Sequence, residues 1–283
     1  MRMNFIYLND LLLEEDKAQL QVRDLAIQRG YGVFDFLRVE ENVPLFLDLY
    51  LDRFFQSAAL LDMEVPVGRE ILKGRIAEMI ARNNLSSSGI KLILTGGYSP
   101  DGYTPGRPNL ILMQSPLTLP PDSSFSAGVS IITHEYAREL PAAKTINYIT
   151  GIWLQKKLAL HKAYDVLYHQ GGVVSEFPRC NFFMVNADGR VVTPSHHILK
   201  GITRNRILSL KEQYPVGEGQ VTLEDILQAK EAFLTSTTKG IIPVISMDGR
   251  PIGTGKPGEI TLQLKAEIKK LEREELKGLL GTR

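Results

Sequence analysis

An α+β fold in two domains is what this sequence predicts, and three observations predict it. Apolar stretches of period two lie beside stretches of period 3.6, without the regular strand–helix–strand alternation of a parallel α/β sheet. One composition break, Ser115 to Ser124, holds Pro116, Pro120 and Pro121 among hydroxyl residues; it can continue neither a helix nor a central strand. Glycine-bearing turns, Asn186 to Arg190 and Asp248-Gly249, punctuate the second half, because glycine tolerates positive φ. The boundary is placed at residues 116–126, between a smaller domain 1–115 and a larger domain 127–283.

In the first domain, Val33 to Glu40 and Ile90 to Thr95 are apolar and partly alternating, as strands are. Leu51, Phe54, Phe55 and Ala58 recur at helical spacing, as do Leu72, Ile76, Met79 and Ile80, with Arg69, Glu70, Lys73 and Arg82 left for solvent. A strand from Asn109 to Gln114 leads into the linker. In the second domain, Gly128 to His134, Val166 to His169 and Asn181 to Val185 read as strands. Helices are expected at Tyr148 to Ala163, with Ile149, Ile152, Trp153, Ala159 and Leu160 on one face, at Arg204 to Glu212, and at Glu259 to Leu280. Thr222-Leu223-Glu224-Asp225 is a capping-box start with Asp in the place of Glu.

Composition narrows the function classes. The 283 residues carry a formal net charge of +1, with 43% hydrophobic and 23% charged. No basic field points to nucleic acid or an anionic membrane. Cys180 is the single cysteine, so an intrachain disulfide and a thiolate metal cluster are excluded. The N-terminus does not read as a signal peptide, and no apolar run reaches the roughly 18 residues of a membrane span. A cytoplasmic protein is expected.

Four segments could carry chemistry. Ile198-Leu199-Lys200-Gly201-Ile202-Thr203-Arg204 places a glycine before a helix start, whose free N–H groups and dipole suit a phosphate; alternatively, Thr203 only caps the helix. Leu234-Thr235-Ser236-Thr237-Thr238-Lys239-Gly240 offers four successive hydroxyls for anion oxygens, or is a solvated strand end. Lys144, in Pro141-Ala142-Ala143-Lys144-Thr145-Ile146-Asn147-Tyr148, sits among small apolar residues. Desolvation there would free its amine as a nucleophile; otherwise it is a surface lysine. Glu176, in Val174-Ser175-Glu176-Phe177, is a buried partner for a cationic ring nitrogen or a strand-end residue in water. Adjacent His196 and His197 point apart, and His134, His161 and His169 are isolated, so no metal is expected. The GxGxxG, GxxxxGK[ST], HExxH and GxSxG patterns are missing.

Taken in order, the segments resemble the class IV, fold-type IV pyridoxal-phosphate enzymes. That family includes branched-chain aminotransferases, D-amino acid aminotransferases and aminodeoxychorismate lyases. The resemblance runs through Arg29-Gly30-Tyr31-Gly32-Val33-Phe34-Asp35, Leu51-Asp52-Arg53-Phe54 with Ser57-Ala58, and Lys144-Thr145-Ile146-Asn147-Tyr148. It continues through Gly171 to Glu176, Asn181-Phe182-Phe183, Leu199 to Arg204, Thr235 to Thr238, Pro243-Val244 and Asp248-Gly249. It implies a smaller N-terminal α/β sandwich, a larger C-terminal pseudobarrel with surrounding helices, and a homodimer. It also implies that Lys144 forms the Schiff base with pyridoxal 5'-phosphate and then carries a proton, and that Glu176 pairs with the pyridine nitrogen. Arg53, the N–H groups of Ile202 and Thr203 after Gly201, and Ser236 and Thr237 would hold the phosphate. Leu199 would pack on the ring and Tyr148 would lie near the phenolate oxygen. Phe34, Arg38, Tyr103 and Thr238 are the implied substrate contacts.

The departures bear on substrate. D-amino acid enzymes carry Arg-x-His after a Ser-Pro pair, whereas here Ser99-Pro100 is followed by Asp101-Gly102-Tyr103. Phe34 and Arg38 look like the Phe-x-x-x-Arg of branched-chain enzymes, yet Gly-Gly-Asn-Tyr is shortened to Thr145-Ile146-Asn147-Tyr148, and Tyr50 stands where a histidine is usual. The expectation is an aminotransferase moving an amino group between a small, branched-chain or other L-amino acid and a 2-oxo acid. A lyase releasing pyruvate from aminodeoxychorismate and a non-catalytic metabolite-binding relative are the alternatives.

Overall fold

The structure is a computed structural model, and it describes residues 4–281 apart from Thr118 and Pro121. Those two residues belong to the linker expected at 116–126 and so lie outside the described residues. The same stretch holds the start of a six-residue helix where the prolines predict none. The chain divides into two units. One comprises Met1–Thr118, Ala143–Asn147 and Glu274–Arg283; the other comprises Leu119–Ala142 and Tyr148–Arg273. A single cut in the sequence could not assign 143–147 to the first unit, because that assignment comes from strand pairing made at long range.

The first unit contains β1 (Phe5–Leu8), β2 (Leu11–Glu14), α1 (Leu25–Arg29), β3 (Gly32–Glu40), β4 (Val43–Pro44), α2 (Leu47–Leu60), α3 (Arg69–Asn83), β5 (Ser87–Thr95) and β6 (Leu110–Pro116). The strands form one antiparallel sheet in the order β2-β1-β6-β5-β3-β4. Along β3 the side chains alternate. Val33, Asp35, Leu37 and Val39 are buried, while Phe34, Phe36, Arg38 and Glu40 are half-exposed, the period-two pattern of a sheet covered on one face. The covering elements are α2, through Leu51, Phe54 and Ala58, and α3, through Leu72, Ile76, Met79 and Ile80. Phe34 therefore sits on the sheet face opposite these helices.

The second unit contains α4 (Asp122–Ala127), β7 (Val129–Glu135), α5 (Ile149–Trp153), α6 (Gln155–His161), β8 (Asp165–Gln170), β9 (Val173–Val174), β10 (Asn181–Val185), β11 (Val191–Pro194), α7 (Ile202–Leu208), β12 (Val216–Gly219), α8 (Leu223–Gln228), β13 (Glu231–Ser236), β14 (Gly240–Met247), β15 (Arg250–Pro251) and most of α9 (Glu259–Gly281). The nine strands form one mixed sheet, β12-β11-β10-β13-β14-β7-β8-β9, with β15 hairpinned on β14. This sheet is curled into a half-barrel. Every residue of β10 is buried, because the strand has a core on each side. Phe182 joins Leu167, Phe177 and Leu234 on one face. On the other, Phe183 stacks on Phe233 at 4.9 Å, with Ile207, Leu264 and Ile268 beside them. Burying one such ring is worth about 1.5–3 kcal/mol.

Three local readings need correction. The helix expected over Tyr148 to Ala163 is two short helices broken at Leu154. Its inward residues are Gly151, Leu154 and Leu158, whereas Ile149, Ile152, Trp153 and Leu160 are 69–81% exposed. Both stripes are apolar, so periodicity could not choose between them. Thr203 does not cap α7; Gly201 is the N-cap residue, and α7 ends at Leu208 rather than Glu212. The turn at Asp248-Gly249 has φ of 49° and 77°, as a two-residue hairpin requires, and Thr222 makes its capping box with Asp225.

Candidate functional site

Within the first unit, Lys144 is held by its own backbone. The 143–147 segment lies along the start of β3. Phe34 N–H donates to the Lys144 carbonyl at 2.9 Å, Ile146 N–H donates to the Gly32 carbonyl at 3.0 Å, and Thr145 bridges Val33. Gly32 permits this closeness, since a Cβ there would lie 2.6 Å from the Leu94 carbonyl and 3.1 Å from Ile146 Cδ1. Lys144 N–H also donates to Oγ of the fully buried Ser57, on α2, at 3.1 Å. The half-buried side chain lies over the Phe34 ring, with Nζ 4.4 Å from the centroid. Such a contact is worth about 0.5–1 kcal/mol at an accessible site and orients the amine.

Arg53, on α2, forks onto Asp35 of β3 with Nε–Oδ2 at 2.8 Å and Nη2–Oδ1 at 2.6 Å. Asp35 is fully buried, and the planar pair fixes the direction of the guanidinium. Arg38 pairs with Glu40 at 2.8 Å on the same face as Phe34, and Lys91 Nζ lies 5.8 Å from the Phe34 centroid. Tyr103 is 84% exposed in the loop after β5. That loop is tied by Asp101, which accepts from the N–H groups of Tyr103 and Thr104 and from the Thr104 and Ser99 hydroxyls. The Thr104 N–H foremost, then its hydroxyl and the Tyr103 N–H, hold the Asp101 carboxyl well below the usual carboxylate range.

The second unit contributes a different set. Glu176 is buried at the start of a turn that bridges to Asn181. Its Oε2 accepts from Leu199 N–H at 2.9 Å and Asn181 Nδ2 at 3.3 Å, and its Oε1 accepts from Arg138 Nη1 at 2.8 Å. Asn181 also donates to the Leu199 carbonyl at 2.8 Å, so Leu199 is gripped at both backbone groups. A Cβ on Gly201 would sit 2.1 Å from Asn181 Oδ1, so only glycine fits there. Ile202 and Thr203 open α7 directly after it, and α7 packs on β13, whose end carries Ser236. Thr237 and Thr238 follow in the turn to β14, half-buried. Thr235 Oγ1, opposite Asn181 in the strand register, is buried without a hydrogen-bond partner among the described residues. Tyr148 is the half-buried N-cap of α5.

These donors suit a phosphorylated pyridine. A buried carboxylate matches a cationic ring nitrogen, while N–H groups at a helix start and clustered hydroxyls match an anion. The orphan hydroxyl of Thr235 is a further polar group in need of a partner. Among the described residues no cluster of three or more His, Cys, Asp or Glu could hold a metal ion, and no helix is long and apolar enough to cross a membrane. Sequence reasoning missed Asp35, Ser57, Lys91, Arg138 and Asn181 as members of these arrangements. Asp35, Ser57 and Asn181 stood inside motifs that carry the resemblance, whereas Arg138 had no local signal. The partners of Ser57 and Arg138 lie 87 and 38 residues away, so nothing nearby in sequence points to them.

Comparison with known proteins gives concordant results. A family model described as Amino-transferase class IV matches residues 32–247. A Methanocaldococcus jannaschii protein, provisionally named a branched-chain-amino-acid aminotransferase, is 33% identical over 278 residues, covering 93% of this chain and 95% of its own. A D-alanine aminotransferase of Bacillus licheniformis is 28% identical over 270 residues, covering 93% and 95%. A branched-chain amino acid aminotransferase from the organism abbreviated T.th. has been solved with pyridoxamine 5'-phosphate (26% identity, TM-score 0.88) and with N-(5'-phosphopyridoxyl)-L-glutamate (25%, 0.86). Each match to these structures covers 95% of this chain and 94% of the other.

Proposed function

Because this chain belongs to the class IV aminotransferases, we propose that it uses pyridoxal 5'-phosphate held on Lys144 to move an amino group from a small L-amino acid of branched-chain type to a 2-oxo acid. The observation that carries this reading is the setting of Lys144. Its main chain is tied to Phe34 and Ser57 and its amine is aimed over an aromatic face, an arrangement a surface lysine does not need. The cofactor, when bound, supplies a cationic ring that accepts the electron pair released at the substrate Cα.

The residues divide the remaining work. Glu176 balances the ring-nitrogen charge, and Arg138, Asn181 and the Leu199 N–H hold its carboxylate in place. Arg53, oriented by Asp35, and the N–H groups of Ile202 and Thr203, with Ser236 and Thr237, take the phosphate. Leu199 and Tyr148 would help to hold the ring. Lys144 carries the proton at Cα. Phe34, Arg38, Tyr103 and Thr238 contact substrate, and Lys91 adds positive charge on the Phe34 face for a carboxylate. The L preference rests on Asp101, an acid engaged within its own loop where D-specific relatives place cationic carboxylate binders.

Purified protein should be yellow, and borohydride should bleach it while fixing the cofactor on Lys144. A panel of L- and D-donors with 2-oxoglutarate or pyruvate should show turnover with L-leucine, L-isoleucine or L-valine. Turnover with D-donors alone would reverse the stereochemical reading, and pyruvate release from aminodeoxychorismate without an acceptor would replace it with the lyase.

The same reading takes the protein to be a cytoplasmic homodimer, with domains 1–115 and 127–283. Its support is the exposed stripe of Ile149, Ile152, Trp153 and Leu160 on α5 and α6, since apolar side chains grouped on one face are suited to a protein partner. Light scattering should give twice the chain mass for the native protein, and Ile152→Glu with Trp153→Glu should shift it to the single-chain mass. An unchanged mass would remove this stripe from the interface.

A further inference from the structure

The hydroxyl segment has a lysine that the proposed function does not use. Lys239 closes the turn between β13 and β14, and its side chain runs inward rather than into solvent. Nζ bonds Asp165 Oδ2 at 3.0 Å and lies 4.7 Å from the Tyr164 ring centroid. The side chains of Lys239 and Asp165 are 12% and 7% exposed. Asp165 begins β8, which is separated from β14 by β7 in the sheet order. The ion pair therefore spans a strand across the curl. Its two ends lead to different parts of the site. From Lys239 the main-chain N–H donates to Ser236 Oγ at 3.2 Å. Along β8, Tyr168 N–H donates to the Glu176 carbonyl at 2.9 Å and the Tyr168 carbonyl accepts from Ser175.

We propose that Lys239 is a positioning residue, whose buried bond to Asp165 fixes the Ser236–Thr237 turn against β8, the strand whose Tyr168 bonds the Glu176 main chain, and so sets the affinity for the cofactor's phosphate. This rests on the function proposed above.

Three physical points support it. A buried ion pair adds little net stability over an apolar pair of the same volume, but its direction is sharply defined. Here a directed tie is placed at the end of the short turn that carries Thr237 and Thr238. The Lys239 N–H also orients the Ser236 hydroxyl by occupying one of its acceptor sites, which leaves its O–H to donate, and the Cys180 sulfur beside it is a weak acceptor. Burial pushes the Cys180 thiol up, so it stays neutral. The charge facing Lys239 is the Asp165 carboxylate. Burial acts against the Lys239 ammonium, and its bond to the Asp165 carboxylate favours it.

The test uses the full chain, titrated with pyridoxal phosphate and with unphosphorylated pyridoxal, each followed by the visible band. Lys239→Met strands a buried carboxylate and can unfold the protein, so the deciding variant is Lys239→Met combined with Asp165→Leu, which replaces the pair by apolar volume. We expect a melting temperature close to wild type, a dissociation constant for pyridoxal phosphate raised about tenfold, and pyridoxal binding changed by less than about twofold. Lys239→Arg, which keeps the ion pair, should restore phosphate affinity. The inference is overturned by a folded double variant that binds pyridoxal phosphate like wild type, or by equal weakening of both ligands. A wild-type protein that takes up neither overturns the proposed function, and this inference with it.

Discussion

Lys144→Ala should lower kcat for amino transfer by at least about 10³-fold at saturating cofactor, the scale of losing a nucleophile that is also the proton carrier. In barrier terms that is about 4 kcal/mol. The substitution is clean because the local structure depends on the Lys144 main chain. Its N–H to Ser57 and its carbonyl to Phe34 N–H are both retained in alanine. The contact of Nζ with the Phe34 ring is lost, which costs about 0.5–1 kcal/mol. The melting temperature should therefore move little while the rate collapses. The measurement is kcat with L-leucine and 2-oxoglutarate, beside the near-ultraviolet spectrum of the folded variant. A folded Lys144→Ala protein that keeps a tenth of wild-type turnover would falsify the assignment.

How much of this was legible in the sequence depends on the range over which each feature is determined. The alternation along β3, the buried stripes of α2 and α3, the Asp248-Gly249 hairpin and the Thr222 capping box are set by residues a few positions apart, and each is found where the pattern put it. The α5–α6 region was misread because both of its stripes are apolar, and only tertiary packing decides that Leu154 and Leu158 face inward. The site divides in the same way. Lys144 and Glu176 could be named from motifs, but the groups that orient them could not. Ser57 and Arg138 act at separations of 87 and 38 residues, and Lys239 reaches Asp165 across 74. A spacing rule sees the residue that does chemistry when its neighbours in sequence are characteristic. It does not see the one that holds that residue in place from another strand.

Glu176→Gln is expected to have the second-largest effect, because it changes charge while nearly preserving shape. The amide oxygen can still accept from Leu199 N–H and Asn181, so the turn survives. What is lost is the negative charge that Arg138 bonds and that the proposed function sets against the ring nitrogen. A guanidinium bonds the carboxylate at Oε1 across 2.8 Å, a charge-assisted contact that fixes where the negative charge sits. In the proposed function that charge would help hold a proton on the ring nitrogen, and without it the ring would be a poorer electron acceptor. A fall in kcat of about 10²-fold should follow, within the usual range for one preorganised electrostatic contact. Cofactor affinity should fall less, since the phosphate contacts are untouched. Glu176→Asp keeps the charge but shortens the reach, so it should retain more activity than Gln if charge matters more than fit. Arg138→Met should fall between wild type and Glu176→Gln. If Glu176→Gln turns over within fivefold of wild type, the carboxylate is structural, and its three donors serve only to anchor Leu199 and the start of α7.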